Sequence, residues 1–279
     1  MDECKASIII PTKDKLSRLR LILKFLENQI TDGIEVIIVF DGCHPQTVSG
    51  FENYRFSFNP LKIINITNIG RSAARNLGIK LASGKIIIFL DDDRIPCADF
   101  VQKHLAGQQE PCILLGGRNN VSMTEKEIES LFFSSTIDLN YQEINNRANI
   151  AGELTPKIRR RFLFRLDGPL RWMNFFTGNV SIPRKDFIET GGFDENFRGW
   201  GHEDLELGYR LCKQGLHFKK DTGIETYHLV HSVNMKDKFN ESRRNLKYMI
   251  QKCRGDLAAN LILRAKMIQI YLERFTDFL

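Results

Sequence analysis

Four short apolar runs, Ala6–Ile10, Ile34–Phe40, Leu61–Ile66 and Ile86–Leu90, constrain the fold of this chain more than any other feature. They are rich in β-branched residues and continuous rather than alternating, the pattern of strands buried on both faces of a parallel sheet. Between the first two lies Leu16–Gln29, which places Leu19, Ile22, Leu23 and Leu26 on one stripe and Arg18, Lys24 and Glu27 opposite. Gly70–Ala82 reads as a second helix, stopped by Ser83-Gly84. This βαβαβ order predicts an α/β fold with a doubly wound sheet, whose ligands sit beyond the carboxyl ends of the strands.

The rest of the chain is less regular. Thr124–Ser134 reads as a helix, whereas Asn145–Arg171 is polar and poorly periodic. Within that stretch Arg159, Arg160 and Arg161 stand beside Phe162 and Phe164, a composition open to an acceptor loop, a peripheral membrane contact or a solvated loop. Order returns at Asn174–Ile182 and in helices near Arg184–Glu189 and Glu203–Gln214. From Lys236 the chain reads as helix with a break at Gly255, and the spacing of Leu261, Leu263, Met267 and Ile270 suits helix packing or a homodimer contact. The expected division is 1–117 for nucleotide binding, 118–232 for the acceptor and catalysis, and 233–279 as a helical extension.

At 279 residues, 42% hydrophobic and 27% charged, the chain has the length and composition of an ordered α/β protein. Its net charge of +6 favours anionic partners, a nucleotide diphosphate, nucleic acid or an acidic membrane face. The six cysteines lie scattered with no CxxC pair, which argues against structural zinc and a disulfide framework, so reduced thiols in the cytoplasm are expected. The start, MDECKASIIIPT, is acidic and its apolar run extends only from Ile8 to Ile10, too short for a secretory signal or a span. A peripheral contact at the inner membrane face is the membrane option left.

The strongest local signal is the strand Ile86–Leu90 running into Asp91-Asp92-Asp93. Three adjacent carboxylates repel one another and resist desolvation, a cost that a divalent cation relieves. Mg²⁺ and Mn²⁺ take oxygen ligands of this kind together with substrate phosphates. Alternation along an extended chain points Asp91 and Asp93 one way and Asp92 the other. Asp93 is therefore assigned to the metal and Asp91 to a ribose or a metal-bound water, with Asp92 beside the nucleotide. A solvated acidic turn is the plain alternative.

This segment resembles the DxD motif of GT-A fold glycosyltransferases, and the chain as a whole resembles family 2 glycosyltransferases. The resemblance continues in Ile10-Pro11-Thr12, in Phe40-Asp41-Gly42 and in Asn68-Ile69-Gly70-Arg71-Ser72-Ala73-Ala74-Arg75-Asn76-Leu77-Gly78. It implies a GT-A fold, Rossmann-like with a mostly parallel central sheet, and a UDP-sugar donor held with Mn²⁺ or Mg²⁺. It also implies nucleotide contacts from Pro11, Thr12, Asp41 (to the uracil ring), Arg71 and Arg75. Read alone, Asp41-Gly42 is a turn and the two arginines are a solvated face; a helix start bearing arginines also draws a diphosphate.

Further on, Thr177-Gly178-Asn179-Val180-Ser181-Ile182 precedes the glycine-rich Gly191–Asp204 block. Glycines there let the backbone approach a ligand, and Trp200 offers a flat apolar face to a sugar ring. Trp200-Gly201-His202-Glu203-Asp204 resembles the W-G-x-E-D/N element of β-1,4-galactosyltransferases, polypeptide N-acetylgalactosaminyltransferases and bacterial chondroitin-type polymerases. The resemblance makes Asp204 the general base and Glu203 a sugar-binding acid in an inverting transfer, with Gly178 and Asn179 lining the donor site; His202 stands where relatives often carry glycine. Read alone, Glu203-Asp204 merely opens a helix. Of two later histidines the galactosyltransferase pattern favours His231 as a metal ligand and the polymerase pattern His228. An extended segment turns them to opposite faces, so one of them, His231, is expected at the metal.

Rival classes are a nucleotidyltransferase and a non-catalytic sugar- or nucleotide-binding module. The first calls for a glycine-rich loop after the first strand, where this chain has Pro11-Thr12-Lys13-Asp14-Lys15. No RRM, KH or helix-turn-helix signature supports a nucleic-acid partner. The expected partners are a nucleotide-sugar donor and a saccharide, peptide or small-molecule acceptor.

Overall fold

The computed structural model describes residues 3–134, 141–148, 168–231 and 235–276. The four apolar runs form β1 (Ala6–Thr12), β2 (Ile34–Asp41), β3 (Leu61–Asn65) and β4 (Ile86–Leu90). Between them lie α1 (Leu16–Leu26), α2 (Pro45–Glu52) and α3 (Arg71–Leu81). β1 pairs in parallel with both β2 and β4, and β2 with β3, as buried hydrophobic strands joined by helical crossovers require. β3 departs from the expectation of burial on both faces. It is the sheet edge, and Leu61 and Ile64 are 46% and 52% exposed.

Beyond β4 follow β5 (Arg94–Pro96), α4 (Phe100–Gly107), β6 (Ile113–Ser122), α5 (Glu125–Phe133) and a helix α6 over 141–148. The second half adds β7 (Asn179–Pro183), α7 (Arg184–Glu189), α8 (Glu203–Lys213), β8 (Phe218–Val230), α9 (Met235–Lys252) and α10 (Leu257–Thr276). All eight strands form one sheet in the order β3-β2-β1-β4-β7-β6-β8-β5. It is mixed: β7 runs antiparallel to β4 and β6, β5 antiparallel to β8, and β6 parallel to β8. The sheet therefore passes without a break through Gly117, which lies inside β6.

Two apolar layers cover the sheet. One packs α1 and α5 against Ile8, Ile10, Ile38 and Ile88; the other packs Phe187, Phe193, Leu207 and Leu211 against Ile9, Ile37, Ile87 and Phe89. A third cluster, with Trp172, Phe197, Leu205, Leu246, Met249 and Leu263, docks α9 and α10 onto α8. Leu263 is buried there while Leu261 is exposed, so the spacing read as one apolar face is divided between two. The Ile270 side chain and the Arg159–Phe164 segment lie outside the described residues. Among the described residues no helix is long and apolar enough to cross a membrane.

Candidate active site

β4 stops at Leu90, and the Asp91 carbonyl accepts from Arg94 N–H at 3.2 Å, closing a turn over Asp92 and Asp93. The turn ends the alternation on which the acid assignments rest. Asp92 and Asp93 fall together, with the Lys15 ammonium 3.0 Å from one and 2.8 Å from the other. Asp91 turns away to the Arg75 guanidinium at 2.9 Å. The expectation that Asp91 and Asp93 point one way and Asp92 the other is thus corrected: Asp92 and Asp93 share Lys15, and Asp91 pairs with Arg75. Thr12 Oγ1 donates to Asp92 at 2.8 Å and fixes that carboxyl to the end of β1, while Pro11 stays in the strand pairing with Val39. Burial followed by its neighbour Asp93 raises the Asp92 pKa, against Lys15 and Thr12. For Asp93 burial acts upward too, but His231 and Lys15 outweigh it and hold the carboxyl well below the usual range.

The short pairing of β5 with β8 sets Arg94 opposite His228, and Leu229 N–H donates to the Asp93 carbonyl at 2.8 Å. This carries the acidic turn to the end of β8. Nε2 of His231 lies 3.3 Å and that of His228 3.9 Å from Asp93 oxygens, and one ligand atom from each of the three residues falls within 4.8 Å of the others. Both histidines therefore reach the acid, contrary to the expectation that only one does. β8 ends at Val230, so His231 lies outside the strand alternation that would have turned it away. Burial, then the charge of Arg118, lowers His228 to about 4, leaving a neutral imidazole suited to a metal. Two imidazoles and a carboxylate fit a first-row divalent ion such as Mn²⁺ better than Mg²⁺, which prefers oxygen. The Lys15 ammonium in the same corner shows that the acids there accept a cation.

A second cluster forms around Arg75, which is 3% exposed. Beyond Asp91, its guanidinium lies 3.5 Å from Glu203 and 3.7 Å from Asp204. Arg71, one turn earlier on α3, also reaches Glu203 at 3.5 Å. The structure therefore buries Arg75 beneath the carboxylates instead of presenting it to a diphosphate, while Arg71 stays partly exposed. Asp204 occupies the first turn of α8, accepting from Thr177 N–H at 3.2 Å and from Thr177 Oγ1 at 2.5 Å. Its side chain is 19% exposed. Burial and then Glu203 push its pKa up to about 6, with Arg75 and Thr177 opposing. Such a carboxylate is more basic than a solvated one and is still ionised at neutral pH, as a general base needs.

Several expected nucleotide contacts are engaged elsewhere. Both Asp41 oxygens accept from the loop before α3, namely from Asn68 Nδ2 (2.8 Å), Ile69 N–H (2.7 Å) and Gly70 N–H (3.0 Å). The carboxylate thus holds this loop at the cleft, which is not the free presentation that reading a uracil ring requires. Asn179 is also turned inward. Its Nδ2 donates to the Gly117 and Ile224 carbonyls at 2.9 and 2.8 Å, bolting β7 to β6 and β8 where β6 bulges. Its Oδ1 meets His104 Nε2 at 3.0 Å, so that nitrogen carries the proton and Nδ1 accepts from Ser181. The donor contact expected of Asn179 is accordingly replaced by a structural role. Gly178, at φ +107°, lies so close to the acids that a Cβ would sit 2.4 Å from Asp91 Oδ2. Trp200 is 38% exposed, as a sugar platform needs.

No motif singles out Lys15 or Thr177, or the part taken by α9. A lysine after β1 and a threonine before β7 reveal nothing until the sheet brings them to the acids. His202 has φ +73°, a left-handed backbone that favours glycine, and its ring is held by Ser242 of α9 at 2.9 Å.

Residues 7–167 match the family model for glycosyl transferase family 2, and residues 159–233 match the one for the N-terminal domain of galactosyltransferase. An uncharacterized glycosyltransferase of Bacillus subtilis, YfnE, is 28% identical over 89% of this chain and 70% of its own length. Validoxylamine A glucosyltransferase of Streptomyces hygroscopicus is 31% identical over 82% of this chain, which spans only 57% of that relative. The crystal structure of S. aureus TarS 1–349 with UDP-GlcNAc superposes with a TM-score of 0.63 at 16% identity, covering 96% of this chain and 73% of that one. That likeness identifies the fold as GT-A.

Proposed function

The chain belongs to glycosyl transferase family 2, and on that premise we propose that it is an inverting, metal-dependent enzyme using a UDP-sugar. It transfers a hexose or N-acetylhexosamine to a hydroxyl of a glycan, lipid-linked saccharide, peptide or small molecule. That the chain is a glycosyltransferase follows from the family and sets the nucleotidyltransferase reading aside. The observation carrying the finer reading is the separation of the acids into two sets, Asp93 beside two histidines with Asp92 joined to it through Lys15, and Asp91, Glu203 and Asp204 around Arg75.

In this reading Asp93, His228 and His231 hold Mn²⁺, which when bound supplies Lewis-acid stabilisation of the departing diphosphate. Asp204 Oδ accepts the acceptor hydroxyl proton as its oxygen attacks the anomeric carbon. Thr177 holds that carboxylate in place, and Arg75 keeps the acid cluster from repelling itself apart. Glu203, 3% exposed between Arg71 and Arg75, holds those guanidiniums instead of the sugar hydroxyls expected of it, and Trp200 supplies the apolar wall. No second carboxylate is needed as a nucleophile, so one displacement inverts the anomeric centre.

The test is a panel of UDP- and GDP-sugars with Mn²⁺, scored by nucleotide release. One UDP-sugar should turn over and chelation should stop it. Turnover indifferent to chelation, or confined to GDP-sugars, contradicts the proposal. The acid limb of the pH profile gives a second check. Asp204 must be ionised to act, so kcat/KM should fall as pH drops through about 6. Thr177→Val removes a hydrogen bond that favours the carboxylate, and should move this limb upward by about one unit. An unmoved limb would assign it to another group.

A further inference from the structure

The loop between Phe197 and α8 carries Trp200 and leads into the helix that holds Asp204. Three of its residues have left-handed backbones: Gly199 at φ +76°, Gly201 at +97° and His202 at +73°. Glycine takes such angles freely, whereas histidine needs its surroundings to hold it there. Those surroundings come from α9, which lies beyond both family-model spans. The carbonyls of Gly201, Arg198 and Trp200 converge on Asn245 Nδ2 at 2.9, 3.1 and 3.4 Å. Three acceptors around one atom require a donor, so the amide nitrogen faces them and an ionised aspartate cannot replace it.

The preceding turn of α9 adds two further contacts on the same helix face. Glu241 Oε2 accepts from Trp200 N–H at 2.8 Å, and its carboxyl packs so closely on Gly199 that a Cβ there would lie 2.4 Å from Cδ. Ser242 Oγ meets His202 Nε2 at 2.9 Å. Asn245, Ser242 and His202 are all buried, so water competes little for these bonds. Leu246 and Met249 join Phe197 and Leu205 in the apolar cluster that docks α9 onto α8. Apolar packing thus fixes the helix, and its polar residues fix the loop.

From these bonds we infer that α9 positions the sugar platform: Asn245, supported by Glu241 and Ser242, sets where the Trp200 ring stands relative to Asp204. The inference rests on the transfer reaction proposed above, in which Trp200 is the apolar wall. Asn245 is buried beneath the loop and acts through its backbone, so it is a positioning residue. A platform held by backbone hydrogen bonds shifts when they are lost, and a displacement of about 1 Å can cost about 10²-fold in rate.

The test compares wild type, Asn245→Ala and Ser242→Ala in UDP release from the UDP-sugar that turns over, in calorimetric titration with UDP and Mn²⁺, and in acrylamide quenching of tryptophan emission. Trp172 is buried, so quenching reports Trp200. Asn245→Ala should lower kcat/KM for UDP release about tenfold or more and raise the quenching constant, with UDP affinity within about twofold of wild type. Ser242→Ala should cost about threefold alone and nothing further in a His202→Gly background, where the ring that Ser242 holds is gone. Unchanged turnover in Asn245→Ala overturns the inference, as does a turnover loss matched by an equal loss of UDP affinity, the mark of general loosening. Should Asn245→Ala not fold, the Ser242 and His202 variants decide, and additive losses there contradict the inference. Equal turnover in wild type and variants defeats this inference alone; a wild type that releases no UDP defeats the reaction on which it rests as well.

Discussion

Replacing Asp204 with asparagine is expected to slow glycosyl transfer by about 10²–10⁴-fold while donor affinity stays near wild type, the pattern of a lost general base. Asparagine keeps the shape and still accepts from Thr177, so the change removes basicity and little else. Stability should move the other way. Because the folded Asp204 pKa of about 6 lies above its ordinary 3.8, its burial costs nothing below pH 3.8, and stability falls as pH rises toward 6 and then levels off. The shift corresponds to a cost on the order of 3 kcal/mol at neutral pH, which Asp204→Asn removes. Urea unfolding at pH 7.5 should therefore find the inactive variant at least as stable as wild type. A variant that transfers sugar at the normal rate removes Asp204 from the mechanism.

Asp93→Ala should abolish Mn²⁺ binding measured by electron paramagnetic resonance, a loss on the order of 10²-fold or more, since removing a direct ligand costs at least what an outer partner does. Asp91→Ala is the matched control. Asp91 sits with Arg75 at 2.9 Å, apart from the two histidines, so its loss should change Mn²⁺ affinity by less than about threefold. Equal losses in the two variants would restore the alternating arrangement that the turn at Asp92-Asp93 replaces.

The parallel half of the sheet was legible because its strands are buried and joined by amphipathic helices, so composition and periodicity agree. β6 and β8 were not. Gly116-Gly117-Arg118-Asn119-Asn120 and Lys219-Lys220-Asp221-Thr222-Gly223 carry no run of apolar residues, and they extend because they pair with each other and because Asn179 fills the bulge between Leu115 and Gly117. The same long-range pairing, with β5 on β8, brings His228 and His231 to Asp93; no local signal specifies it. Motif order singled out Asp93, Asp204 and the two histidines, and the fold sets both imidazoles beside Asp93. Which acids face one another was decided by a turn that ends β4 two residues early for strand alternation to hold. Arg75 and Asn179 show a further limit: a motif marks a residue as required at the site without saying whether it touches the ligand or supports what does.

The most direct measurement is the anomalous difference density at the manganese edge from a crystal grown with UDP and Mn²⁺. A single strong peak bounded by Asp93, His228 and His231, with the diphosphate on its open side and Asp204 across the cleft, is the predicted result. A peak elsewhere, or ordered UDP with no manganese beside those three residues, contradicts the account.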